Sequence, residues 1–146
     1  MRGLPSPNAD RHRHDGGVTF FESLAKPGWI PPDWAFPVTW FTLWALQLGA
    51  LAVLATEPAG SARRIAFGLL AAQFVTAVAW QAVIFGPGRL NFAAWWLVAV
   101  LVLVVAATVA AARVDRLAGL LIAPTIVWMT MATTLGFTLA RLNPGA

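Results

Sequence analysis

Apolar and polar positions fall along this chain in long blocks. Four uncharged runs, Phe36–Ala55, Ile65–Phe85, Phe92–Ala112 and Leu117–Leu139, are each about 20 residues long, enough to cross a ~30 Å hydrocarbon core. Short polar breaks divide them. Glu57-Pro58 stops the first run, and Ser61-Ala62-Arg63-Arg64 opens the second, with Ser61 placed to cap a helix. Gly86-Pro87-Gly88 is a turn signal, Arg113-Val114-Asp115-Arg116 a short connection, and Arg141-Leu142-Asn143-Pro144 a terminator. Valine is frequent, but membrane strands alternate over only ~10 residues. Backbone in hydrocarbon must also satisfy its own hydrogen bonds. The pattern therefore predicts helices at about 34–55, 63–85, 91–112 and 117–141. The expected fold is all-α, an integral membrane bundle of four transmembrane helices. Short breaks make successive helices antiparallel neighbours. Pro124 cannot donate to the Leu120 carbonyl, so a kink is expected there.

Residues 1–19 are polar and hold Pro5, Pro7, Gly16 and Gly17. They predict a disordered tail without the apolar core of a signal peptide. His12 and His14, alternating with arginines, read as solvated surface, so no metal site is expected. Residues 20–146 form the membrane domain. At its start, Lys26-Pro27-Gly28-Trp29-Ile30-Pro31-Pro32-Asp33-Trp34-Ala35-Phe36-Pro37-Val38-Thr39-Trp40 packs four prolines and three tryptophans into fifteen residues. The prolines stiffen the approach to the first helix. Asp33 is expected in that helix's first turn, where its charge suits the dipole.

Composition agrees with the blocks. The chain is 59% hydrophobic and 11% charged, against roughly 25% charged in soluble domains. The formal charge of +4 comes from arginines scattered at span ends, an arrangement of membrane proteins, and no nucleic-acid partner is expected. Basic residues on the two sides nearly balance, so they do not set the orientation. No cysteine and no tyrosine is present, which removes disulfides, thiolate ligands and phenolic acids. No Asp, Glu, Lys, Arg or His lies within the four runs. Proton-coupled export needs such a group at membrane depth, hydrolysis needs an acid–base pair, and embedded haem iron needs an axial ligand such as His or Cys. No catalytic residue is assigned.

The spans offer aromatic surface and a few neutral polar groups. Helical spacing puts Trp40, Trp44 and Gln47 on one face, Gln73, Thr76 and Trp80 on a second, and Thr125, Trp128 and Ala132 on a third. Converging, these faces would line an apolar cavity with indoles, leaving Gln and Thr to orient a ligand. Trp29, Trp34, Trp95 and Trp96, near span ends, read as an interfacial belt. Small residues four apart (Ala45/Gly49, Gly68/Ala72, Ala106/Ala110) suit close helix approach or a homodimer.

The proline–tryptophan stretch, K-P-x-W-x-P-P-x-W-x-F-P-x-x-W, resembles the loop-to-second-helix signature of the TspO/MBR family, the tryptophan-rich sensory proteins related to the translocator protein. The resemblance continues through Ala72-Gln73, Trp80 and Phe85-Gly86, then Asp115, Ala118-Gly119, Pro124, Trp128 and Ala132-Thr133, and finally Arg141-Leu142-Asn143. It implies a five-helix fold, often dimeric, that binds porphyrins, haem-related tetrapyrroles, sterols or other flat aromatic molecules beneath the first loop. Here the fold lacks a counterpart of the family's first helix, since residues 1–19 cannot span a bilayer. The expected ligand contacts are Trp29, Pro31, Pro32, Trp34, Trp40, Trp44, Gln73, Ala77, Trp80, Trp128 and Ala132, of which Trp40 and Trp128 match, by resemblance, the indoles that flank the family's pocket. Ala77 stands where the family usually has Asn, Ala82 where Pro is frequent, and Gly136 where an Asn is common. The implied function is a receptor or translocator in a bacterial cell membrane, with a non-covalent tetrapyrrole as ligand and no resident cofactor. Its rivals are a scaffold that binds no ligand and a light-dependent porphyrin-degrading catalyst.

Overall fold

A computed structural model describes residues 20–84 and 89–146. The expected tail, His12 and His14, and the Gly86-Pro87-Gly88 turn lie outside the described residues. Among the described residues, four long helices carry the fold: α1 (Ala35–Thr56), α2 (Ser61–Ile84), α3 (Leu90–Val114) and α4 (Arg116–Leu142). All four are long and apolar enough to cross a membrane, and the protein is a multi-pass integral membrane protein.

The helix ends follow from local chemistry. α1 starts later than its charge pattern suggested. Ala35 N donates to the Pro32 carbonyl at 2.8 Å, which closes a turn around Asp33 and Trp34. Asp33 is thus held ahead of the helix, whose first turn has no acid. At the other end Glu57 is extended (φ −77°, ψ 154°), as a residue before proline should be. In α2, Arg64 N donates to the Gly60 carbonyl at 3.1 Å. Gly60 therefore precedes the helix, and Ser61 is its first residue rather than its cap. α4 has a side-chain cap: the Asp115 carboxylate accepts from Ala118 N at 3.0 Å. α4 then runs as one helix through Pro124.

The helices pack in the order α2, α3, α4, α1. The α3–α4 interface is the most extensive, α2 lies on α3, and α1 lies on α4, while α1 and α2 barely meet. Close approach of α3 and α4 depends on Gly119 and Gly136. A Cβ on Gly119 would stand 2.5 Å from Ala112 Cβ, and one on Gly136 would stand 3.1 Å from Leu97 Cδ1. Val100, Val104, Ile122 and Met129 fill the seam between them. Outward positions such as Leu120, Val127, Val75 and Val102 are exposed and apolar, as lipid-facing residues must be.

Ahead of α1, a helical turn at 20–23 leads into Leu24, which packs with Leu90 and Ala93 against Trp80, Val83 and Ala140. Asn143, just past α4, ties this segment down. Its Oδ1 accepts from Ala25 N at 2.8 Å, and its Nδ2 donates to the Ala25 carbonyl at 2.9 Å. The same Nδ2 lies 2.9 Å from the Leu139 carbonyl. One amide thus fixes both backbone groups of a residue 118 positions away.

Candidate functional site

Three of the polar side chains expected to converge do so. Gln73 Nε2 on α2 donates to Gln47 Oε1 on α1 at 2.6 Å, and Gln47 Nε2 donates to Thr125 Oγ1 on α4 at 3.1 Å. All three are buried, at 5% exposure for Gln47, 2% for Gln73 and 1% for Thr125. A polar group in hydrocarbon is costly without a partner, so each helix turns its amide or hydroxyl toward the others. Thr76 does not join them, because its hydroxyl donates to the Ala72 carbonyl of its own helix at 2.7 Å.

Toward the loop end lies an aromatic cluster. Trp128 meets Trp40 edge to face, with centroids 6.3 Å apart, and meets Phe36 at 5.7 Å. Trp40 adjoins Trp44 at 6.0 Å, and Trp44 crosses to Phe74 of α2 at 5.8 Å. The indole Nε1 of Trp128 is buried without an acceptor among the described residues. A buried, unpaired donor forfeits about 1–3 kcal/mol.

The other expected contacts are spread more widely. Trp80 faces the α2–α3 seam, where its Nε1 donates to the Ala93 carbonyl at 3.0 Å. Trp96 does the same in reverse, donating to the Thr76 carbonyl at 2.9 Å; it is half-buried and so staples two helices instead of lying in a belt. Trp29 and Trp34 are 50% and 68% exposed, and Pro32 is exposed with Pro31 half-buried beside it. Ala77 is buried in the main core, and Ala132 is half-buried one turn beyond Trp128. Trp40, Trp44, Gln73 and Trp128 are thus linked through ring contacts and Gln47, whereas Trp29, Trp34 and Trp80 have other surroundings.

Sequence reasoning missed Phe36 and Phe74 as partners of the indoles. It also missed a cleft of about 670 Å³ between α1 and α2, walled by Leu48, Leu51, Phe67, Gly68 and Ala71. Ala71 and Phe74, three residues apart, put an apolar face of α2 into this cleft, a face legible in the sequence; how far α1 stands from it was not.

A multi-pass helical membrane protein with a buried amide relay and an indole cluster at its loop end is the class these features define. The chain belongs to the TspO/MBR family, whose model matches residues 6–142. It is 36% identical over 127 residues to Protein CrtK of Rhodobacter capsulatus, covering 86% of this chain and 79% of that protein. It is 40% identical over 126 residues to a tryptophan-rich sensory protein of Cereibacter sphaeroides, covering 85% and 77%. The human translocator protein is 30% identical over 137 residues, covering 92% of this chain and 81% of the human protein.

Proposed function

We propose that this protein is a membrane receptor for a flat hydrophobic ligand, a porphyrin or another tetrapyrrole, held at the cluster of Phe36, Trp40 and Trp128 next to the 26–34 loop. The observation that carries the reading is the Trp128 indole N–H, buried among rings and lacking an acceptor among the described residues. A ligand pyrrole nitrogen or carbonyl would satisfy it, and the ring faces would supply stacking. Trp40 and Trp128 now meet edge to face, so a planar guest binds by exchanging that contact for stacked ones. Lys26 and Arg141, at the same end of the bundle, supply cations for ligand carboxylates. Relatives named sensory and translocator proteins support a receptor or carrier role.

Tryptophan-fluorescence titration with protoporphyrin IX in nanodiscs tests the proposal. Saturable quenching that weakens in Trp40→Ala and Trp128→Ala is the expected result. The closed ring contact favours one rival, a scaffold without a ligand. Absent saturation, or a titration identical in both variants, decides for that rival.

A further inference from the structure

The three buried polar side chains among the described residues, Gln47, Gln73 and Thr125, lie within a turn of the ring cluster on each helix that carries it. Gln47 follows Trp44 by three residues on α1, Gln73 adjoins Phe74 on α2, and Thr125 precedes Trp128 by three on α4. α1 and α4 run in opposite directions, so the rings stand together on the loop side of the relay. Thr125 differs from the threonines that follow it on α4. Thr130, Thr133 and Thr134 each donate to the carbonyl four residues back, whereas the Thr125 oxygen meets Gln47 Nε2 of another helix at 3.1 Å.

The two tiers differ in tolerance. Aromatic pairs accept centroid distances of about 4.5–7 Å, so the rings do not fix their own spacing. A hydrogen bond from an amide accepts only about 2.7–3.2 Å, so the relay does fix the spacing and register of α1 on α4. Trp40 and Trp128 stand 6.3 Å apart at 84°. A flat guest sandwiched between two ring faces needs them about 7 Å apart, the sum of two carbon contacts of about 3.5 Å each. Room for one flat guest is therefore nearly present before binding, and the rings need to turn rather than part. A ruffled or domed macrocycle needs more.

We propose that Thr125 and Gln47 are positioning residues that determine specificity: their hydrogen bond holds α1 against α4 at the spacing of one flat macrocycle and disfavours a puckered one. The guest is that of the receptor reading, on which this assignment rests. Both residues act through Trp40 and Trp128. Gln73 steadies Gln47 from α2 by its 2.6 Å bond to Oε1, which turns the Gln47 Nε2 toward Thr125. A site spaced in advance loses less on binding than one that must be forced open.

The test compares protoporphyrin IX, which is flat, with N-methylprotoporphyrin IX, whose alkylated nitrogen tilts one pyrrole out of the plane. Both are titrated by tryptophan quenching of the full chain in nanodiscs, and the ratio of their dissociation constants is read. The unmodified chain should prefer the flat porphyrin. Thr125→Val keeps the side-chain shape without the hydroxyl and should reduce that preference about fivefold, the worth of one hydrogen bond. Thr125→Ser retains the hydroxyl and should keep the preference, as should Thr130→Val, where the lost hydroxyl bonded only its own helix. A general loss of stability weakens both porphyrins alike and leaves the ratio where it was. Where Thr125→Val does not fold, Gln47→Met breaks the same bond from α1 and should give the same ratio. A ratio near one in the unmodified chain overturns the proposal, as does a preference that survives Thr125→Val or falls equally in Thr130→Val. Saturation by neither porphyrin overturns the receptor reading instead. The hydrogen bond is then judged in the apo protein, by the near-ultraviolet circular-dichroism couplet of the Trp40–Trp128 pair, taken as the difference from Trp128→Phe. That couplet should collapse in Thr125→Val and persist in Thr125→Ser; a couplet unchanged in Thr125→Val shows that the relay does not position the rings.

Discussion

At the scale of single residues, neighbours decide more than residue type. Gly68 and Gly119 are both helical glycines, yet a Cβ meets open space at the first and Ala112 at 2.5 Å at the second. Gly119→Ala should therefore force α3 and α4 apart and cost about 1–3 kcal/mol, whereas Gly68→Ala should lose nothing; unfolding in mixed micelles compares them. Gln47 is the centre of its relay, so Gln47→Leu strands Gln73 and should cost about 1–2 kcal/mol. The pair Gln47→Leu with Gln73→Leu should cost less than the sum of the two single changes, since no amide is then left alone. Trp128→Phe separates packing from hydrogen bonding. The apo protein should be no less stable, because an orphaned donor is gone, while porphyrin affinity should fall about fivefold, the worth of one hydrogen bond.

At the scale of elements, the four spans were readable because a helix in lipid must be long, apolar and internally bonded. Their mutual faces were readable in part. The helical period brought Gln47, Gln73 and Thr125 to the right sides, and burial of polar groups did the rest. Thr76 escaped the same logic because a helical threonine can bond back to its own chain. Trp80 and Trp96 escaped it because an indole N–H takes any nearby carbonyl, and which one is near depends on the α2–α3 crossing. Asp33 was misplaced by one turn: charge preference at a helix start yielded to a turn closed by the Pro32 carbonyl. The cleft could not be read, since it depends on how far two sequence neighbours splay. At the α4 start the rule held in a different place, with Asp115 serving as the cap. Asp115→Ala should cost about 1 kcal/mol, measurable as a shift in the same unfolding curves.

At the scale of the whole molecule, α1 is the least embedded span: it leans on α4, and little but the Trp44–Phe74, Gln47–Gln73 and Arg63–Ala55 contacts joins it to α2. Amide hydrogen exchange should be faster along α1 than along α3, whose contacts run along both neighbours. The opening segment is anchored from the far end of the chain. Asn143→Ala removes both Ala25 bonds, and exchange at the Ala25 amide should rise while the centres of α3 and α4 keep their protection. The Asn143 clamp also sets an order of assembly. A ribosome makes residue 25 first and must translate 118 more residues before the side chain that holds it exists. Until then the front segment has only apolar packing, such as Leu24 on Leu90 and Ala93, to hold it, and its hydrogen-bonded fastening waits for a fully synthesised last helix.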